Sequence, residues 1–177
     1  SLITGISWIP QVYAGVFEVG VGFSYSKTNY SHNSYSWQRR IGMSFGYHFT
    51  ELSGFELSYA DVLYRTYIQD YQNTTTKDRI YSMNWIQSFL PSKIPVQPFV
   101  KVGVGQLNRN ATGSYYNGLV SPPAAVDAVT GILGAGMKIF ISKQISFNLE
   151  ATTYLSRGSI RTWKDNVSFE AGSSFYF

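Results

Sequence analysis

The sequence predicts an all-β fold, an eight-stranded antiparallel up-and-down barrel that spans a membrane. Eight segments alternate apolar and polar residues with the two-residue period of a strand, and the connections between them alternate long and short. The composition points the same way, because 17% of the 177 residues are aromatic and only 14% are charged. A soluble domain carries roughly 25% charged residues, so this composition argues against a surface that faces water.

The same composition excludes several other classes of protein. No apolar run reaches the roughly 18 residues that a membrane-spanning helix needs, and the chain is too rich in Ile, Val, Phe and Tyr to be disordered. Without cysteine it has neither a disulfide scaffold nor thiolate chemistry. The start lacks the basic and apolar regions of a signal peptide, so we expect a chain that begins after processing. We expect residues 1–15 to form an N-terminal segment of uncertain structure and residues 16–177 to form the barrel.

Four alternating segments occupy the first half of the chain, at residues 16–26, 40–49, 55–59 and 81–89. On each, apolar residues share one face and small or polar residues share the other. In the first segment the apolar set is Phe17, Val19, Val21, Phe23 and Tyr25. The third segment loses this pattern at Asp61, where Val62 and Tyr64 take over the apolar positions.

Four more segments follow at residues 100–105, 133–141, 147–155 and 167–177. Proline cannot donate to a strand ladder, so Pro91, Pro95 and Pro98 mark a boundary before the fifth segment. The polar face of the segments consists mainly of Gly, Ser, Thr and Asn. A soluble barrel or sandwich is the alternative fold, but its solvent-facing side would carry most of the charge. Small residues suit the narrow interior of an eight-stranded barrel better.

The connections predict which way the barrel crosses the membrane. Long connections are expected at residues 27–38, 68–78, 108–128 and 156–164, and short ones at residues 50–54, 91–97 and 142–144. An up-and-down meander places all the long connections at one end. In outer-membrane barrels the short turns are periplasmic and the longer loops are extracellular. We therefore expect periplasmic termini and extracellular long loops.

The charges on the predicted inner face come close to balance. Unpaired charges are costly away from water, so a closed lumen should hold charges of both signs. The inner faces carry four acidic and three basic residues: Glu18, Glu56, Glu150 and Glu170 against Arg40, Lys101 and Lys138. We expect these residues to form a network of ion pairs that closes the bore. The alternative is that they line a water-filled conduit, for which eight strands leave little room.

Basic residues concentrate at the end that carries the long connections. Phosphate groups of an anionic outer leaflet would meet such a rim favourably, so lipopolysaccharide is a candidate partner. The alternative is that these residues only keep polar loops soluble. The candidate rim consists of Arg39, Arg65, Arg79, Arg157 and Arg161. Asp78 and Arg109 lie at the same end, in or beside the predicted loops.

The predicted loop at residues 108–128 has an unusual composition. It carries no charge between Asn110 and Val126, whereas surface loops are generally polar. Its apolar and aromatic residues include Tyr115, Tyr116, Leu119 and Val120. This segment is either a lid that packs over the barrel mouth or a docking surface for a partner protein, such as another protein of the envelope, or for a substrate.

The last eight residues, Glu-Ala-Gly-Ser-Ser-Phe-Tyr-Phe, resemble the terminal recognition signal of bacterial outer-membrane proteins. The matching positions are Glu170, Gly172, Phe175 and Phe177. Residues 46–59 and 98–105 resemble a hairpin and a later strand of the small OmpA/OmpX/OmpW-like barrels. The resemblance implies a bacterial outer-membrane protein in contact with the lipids of that membrane. It also implies that the outer-membrane insertion machinery recognises the last strand.

Residues for catalysis or metal binding are scarce. His32 and Ser34 lie close together, but no acid is placed to orient the histidine, and His48 lies at the opposite end of the barrel. With no Cys and two separated His, we expect neither a metal nor a cofactor. The basic residues are scattered, which disfavours nucleic acid as a partner.

Three classes of function remain. A structural or interaction role in the envelope ranks first, because it needs no residues beyond those already seen; it includes envelope integrity, adhesion, or service as an accessory subunit. A narrow passage for small solutes ranks second. A lipid A-modifying enzyme ranks third, so we expect that the protein is not an enzyme.

Overall fold

The computed structural model describes residues 15–31, 33–70, 72–90, 94–115, 126–156 and 167–177. They form eight strands: β1 (Val16–Ser31), β2 (Ser34–His48), β3 (Ser53–Ile68), β4 (Gln72–Ser88), β5 (Val96–Tyr115), β6 (Val126–Phe140), β7 (Ile145–Ser156) and β8 (Val167–Tyr176). Each strand pairs antiparallel with the next, and β8 pairs with β1. The predicted eight-stranded antiparallel up-and-down barrel is confirmed. No helix long and apolar enough to cross a membrane occurs in these residues.

The apolar faces of the strands lie on the outside of the barrel. Side chains such as Phe23, Met43 and Val102 are each about half exposed, at 52%, 59% and 52%. Their sequence neighbours point inwards and are small or polar, as the period of two requires. The arrangement is the reverse of a soluble barrel, since the large apolar side chains face the surroundings and the polar ones are buried.

Two of the predicted long loops are wrong, because the strands continue through them. Residues 27–31 and 34–38 belong to β1 and β2, and residues 72–78 belong to β4, which begins four residues after Ile68. Outside the membrane both faces of a strand can be polar, so the apolar alternation disappears while the backbone ladder continues. The β-branched run Thr74–Thr76 favours this extended conformation.

The other two predicted loops are described only in part. In the first of them, β5 runs to Tyr115 and β6 begins at Val126, so residues 108–115 and 126–128 are strand. Residues 116–125 lie outside the described residues. In the second, β7 ends at Ser156 and residues 157–166 also lie outside them.

Strand pairing reaches further on one side of the barrel than on the other. The β4–β5 ladder continues to the Gln72–Tyr115 pair, whereas the β5–β6 ladder stops at Arg109–Val126. The described β1–β8 ladder stops at Phe23–Ala171. Strands β1 to β5 therefore continue beyond the rest as an extended sheet. We call this end of the barrel the extended end, and the opposite end, where β2–β3, β4–β5 and β6–β7 connect, the turn end.

The apparent break in the pattern of β3 is a change in what the two faces carry. Asp61 still points outwards, where its carboxylate lies 3.1 Å from Lys77 Nζ, and Val62 points inwards and is 2% exposed. The buried side chains at this level form an apolar layer across the bore: Ala60, Val62 and Ile80, packed by Tyr64, Leu107 and Tyr154. The alternation of faces itself is uninterrupted.

Candidate functional site

The bore of the barrel is filled by groups of charged side chains, and the first lies nearest the turn end. Glu18 projects from β1 and accepts hydrogen bonds from Lys138 Nζ and His48 Nε2, both at 2.6 Å. The Lys138 ammonium also lies 5.6 Å from the ring centroids of Phe99 and Tyr176, within reach of a cation–π contact. A single buried carboxylate thus holds donors from β2 and β6 together.

The second group lies at mid-barrel, where one lysine connects two carboxylates. Lys101 Nζ on β5 lies 2.9 Å from Glu56 on β3 and 2.7 Å from Glu150 on β7. Asn84 Nδ2 donates a second hydrogen bond to Glu56 at 3.1 Å, and the Thr152 hydroxyl donates to Glu150. These neutral donors supply hydrogen bonds to the two carboxylates in addition to those from the Lys101 ammonium.

The third group crosses the seam where the barrel closes. Arg40 Nε on β2 donates to Glu170 Oε2 on β8 at 2.7 Å, and the guanidinium lies 5.1 Å from the ring centroid of Tyr154. Strands β1 and β8 share only six register pairs in the described residues. The Arg40–Glu170 ion pair passes over β1 and so links β8 to β2 across this short ladder.

A further ion pair lies beyond the apolar layer, towards the extended end. Arg109 Nε and Nη2 donate to the two carboxylate oxygens of Asp78 at 2.8 and 2.6 Å. Asp78 is 3% exposed, so it belongs to the interior rather than to a loop. Sequence reasoning missed this pair. The inward position of Asp78 could have been predicted from its spacing. Asp78 lies an even number of residues before Ile80, Ser82 and Asn84, which share the inward face of β4.

Between the charged groups lies a small cavity of about 70 Å³. Its lining includes Glu18, Arg40, Glu56, Lys101, Glu150 and Glu170. A cavity of this size and polarity has room for a few water molecules. The cavity also touches Ala60, Ile80 and Tyr154 of the apolar layer, which packs beside it towards the extended end.

All seven residues expected in the lumen face inwards, and the structure joins them in three groups. The terminal residues divide between the two faces: Glu170 and Gly172 point inwards, whereas Phe175 and Phe177 are exposed on the outside at 47% and 67%. The backbone N–H of Phe177 donates to Phe17 O at 3.1 Å, and Phe17 N donates to Phe177 O at 3.0 Å. Recognition of this strand by insertion machinery stays a prediction.

Three of the candidate rim arginines are described, and all three are exposed on the outside of the extended end. Arg39, Arg65 and Arg79 lie on β2, β3 and β4. Arg157 and Arg161 lie outside the described residues. Of the candidate lid or docking segment, Tyr115 ends β5, and Tyr116, Leu119 and Val120 lie outside them too. The described residues contain no cluster of three or more side chains that could hold a metal ion.

Comparison with known proteins gives a family match over nearly the whole chain. The family model described as "Outer membrane protein beta-barrel domain" matches residues 2–175. A search of curated proteins found no significant match.

Solved structures with the same architecture cover almost all of the chain. OprG from Pseudomonas aeruginosa is 13% identical, with a TM-score of 0.67 over 96% of this chain and 99% of that one. The N-terminal barrel domain of OprF from the same organism is 16% identical, with a TM-score of 0.63 over 93% and 98%. Ail, the attachment invasion locus protein of Yersinia pestis, is 12% identical, with a TM-score of 0.59 over 93% and 99%. At these identities the similarity shows the fold alone.

Proposed function

The chain belongs to the outer-membrane β-barrel family of Gram-negative bacteria, and from that premise we propose that it is a closed barrel with a structural or interaction role in the envelope. It would contact its partners through the extended end. The observation that carries this proposal is the filled bore, in which three groups of ion pairs and an apolar layer occupy the path that a solute would take. A barrel whose bore is occupied by its own side chains would act through its outer surfaces.

The proposed orientation places the turn end in the periplasm and the extended end outside the cell. Outer-membrane barrels have short turns on the periplasmic side and longer segments outside the cell. Here strands β1 to β5 extend beyond the rest of the barrel at the end opposite the C-terminal Phe177. The exposed arginines of the extended end would then lie at the outer leaflet, which carries the lipopolysaccharide phosphates of a Gram-negative cell. Contact of this end with lipopolysaccharide is part of the proposal.

The orientation can be tested by introducing single cysteines, because the chain has no cysteine of its own that would react with the label. Thr112 is exposed on the extended part of β5, and Lys143 is exposed in the β6–β7 turn. We expect a membrane-impermeant maleimide to label Thr112→Cys in intact cells and Lys143→Cys only after permeabilisation. Labelling of Lys143→Cys alone in intact cells would reverse the orientation and remove the basis for an external working surface.

Interaction with another envelope protein is a further part of the proposal, and residues 113–124 are its candidate segment. Deletion of these residues should abolish co-purification of a specific envelope protein, while the variant keeps the heat-modifiable electrophoretic migration of a folded barrel. If every partner persisted, the segment would be a lid and the docking role would be wrong. A protein of the same fold, Ail of Yersinia pestis, has been solved in complex with the heparin analogue sucrose octasulfate.

A narrow passage for small solutes is the second candidate function, and the cavity of about 70 Å³ favours it. Opening a path would require the Lys101 contacts to break and the apolar layer around Val62 to separate. Uptake of small solutes into liposomes that contain the protein, above uptake into empty liposomes, would support this candidate over the closed barrel.

A further inference from the structure

Three basic side chains surround one tryptophan on the outer face of the extended sheet. In the strand register Trp37 lies directly opposite Lys27 of β1 on one side and Arg65 of β3 on the other. Arg39 follows Trp37 by two residues and therefore shares its face. Neighbouring strands lie about 4.8 Å apart, so the two flanking cations are rooted within about 10 Å of each other. We call Lys27, Trp37, Arg39 and Arg65 the basic face.

The charges of the basic face are not neutralised within the described part of the chain. Arg39 and Arg65 are exposed and have no carboxylate within ion-pair distance there, and Lys27 contacts only the ring of Tyr35, at 5.4 Å from its centroid. Lys77 on β4 differs, since it pairs with Asp61 at 3.1 Å. Three like charges so close together repel one another, and a bound anion relieves that repulsion.

The position of the basic face along the barrel axis determines which part of the membrane it contacts. The outward apolar residues of β2 begin at Phe49 beyond its turn end and stop at Ile41, after which Arg39 follows. The ten steps from Phe49 to Arg39, at about 3.3 Å each and tilted by about 40°, rise roughly 25 Å, which is the height of the apolar band of an outer-membrane barrel. Arg39 therefore lies where lipid headgroups begin, and its side chain points sideways into them.

Aromatic side chains also indicate that the basic face lies at the membrane interface. The ring of Trp37 stacks on Tyr25, with 6.4 Å between the ring centroids, and both residues are of the amphipathic type that concentrates at membrane interfaces. The half-buried indole presents an apolar surface with a negative face, against which the C–H groups of a sugar ring pack favourably.

We propose that the basic face binds the phosphorylated sugar headgroup of an outer-leaflet glycolipid. Arg39 and Arg65 hold phosphate oxygens through their planar guanidinium forks, Lys27 supplies a third charge, and Trp37 packs against a sugar ring. A glycolipid fits better than a soluble polyanion because the face continues downwards into the lipid-facing residues Tyr25 and Ile41. This inference rests on the orientation proposed above, but it is tested on purified protein, so either can fail without the other.

The test compares two lipids that differ only in phosphate. Purified protein in detergent micelles is titrated with bis-phosphorylated lipid A and with the same lipid A after dephosphorylation, and native mass spectrometry measures the lipid-bound fraction. The phosphorylated form should bind more tightly. Arg39→Gln and Arg65→Gln should each weaken its binding about fivefold, the effect expected for one basic residue at an anionic membrane surface. Lys143→Gln, which removes the same charge from an exposed turn, should leave binding unchanged.

Several outcomes would overturn the proposal. Equal binding of the two lipids would show that phosphate is not recognised, and equal losses in Arg39→Gln and Lys143→Gln would reduce the effect to net charge. A sulfated polysaccharide such as heparin that bound the basic face more tightly than phosphorylated lipid A would make a soluble polymer the ligand. Because the substituted residues are exposed, the variants should fold, and heat-modifiable electrophoretic migration verifies this for each of them.

Discussion

The carboxylate of Glu170 occupies the space beside the Cα atom of Gly22 that a Cβ atom would fill. It also lies 2.7 Å from the position of a Cβ atom on Gly42, the residue paired with Gly22 on β2. From there it reaches Arg40 Nε at 2.7 Å. The ion pair that bridges the closing seam therefore requires two adjacent glycines beneath it.

Gly22→Ala should destabilise the protein by about 1–3 kcal/mol, because the added methyl group displaces Glu170 from a packed interior. Urea unfolding of the barrel in lipid vesicles measures the effect. In a Glu170→Ala background the same substitution should cost much less, since the clash is gone. Gly46→Ala is the matched control, because its Cβ atom would lie 3.5 Å from its nearest neighbours. A cost for Gly22→Ala that was the same in both backgrounds would contradict this packing relationship.

Lys101→Met should cost about 3–5 kcal/mol, because it leaves Glu56 and Glu150 buried without their cation. Adding Glu56→Gln and Glu150→Gln to the variant should restore much of the loss. Lys143→Met in the exposed turn serves as the control and should be close to neutral. If Lys101→Met proved as mild as this control, water would be screening the charges and the interior would be a conduit.

Val102→Arg should cost about 2–4 kcal/mol if its position lies near the middle of the bilayer, because the side chain is 52% exposed on the lipid-facing side of β5. Thr112→Arg, on the same face and strand but in the extended sheet, should be tolerated. The comparison is made by equilibrium unfolding of both variants in vesicles. Equal stability of the two would argue against a membrane boundary between them.

The face of each strand was predictable from sequence because a membrane barrel gives its two faces opposite chemistry. Apolar and small residues alternate from Phe17 to Tyr25, and the inward position of Glu18 follows directly. The partners of that residue were not predictable. Lys138 lies 120 residues away and meets Glu18 only because closure of the barrel brings β6 across from β1.

The extended sheet escaped prediction for a different reason. Beyond the membrane both faces of a strand contact water or polar neighbours, so residues such as Thr74 and Thr75 give no apolar period to detect. The Asp78–Arg109 pair was hidden for the same reason, because its two residues come from segments that read as loops or as the edges of loops. The β-branched composition of these segments indicated strands, and the even spacing from Asp78 to Asn84 indicated which face of β4 points inwards.

The conductance of the purified protein in planar lipid bilayers tests the central claim, that the bore is closed, most directly. Lys101 and its carboxylates, the Arg40–Glu170 pair and the apolar layer around Val62 together fill the bore. We therefore predict no steady channels under conditions in which a general porin conducts. Channels of stable, reproducible size would contradict the closed barrel and make the passage of small solutes the function.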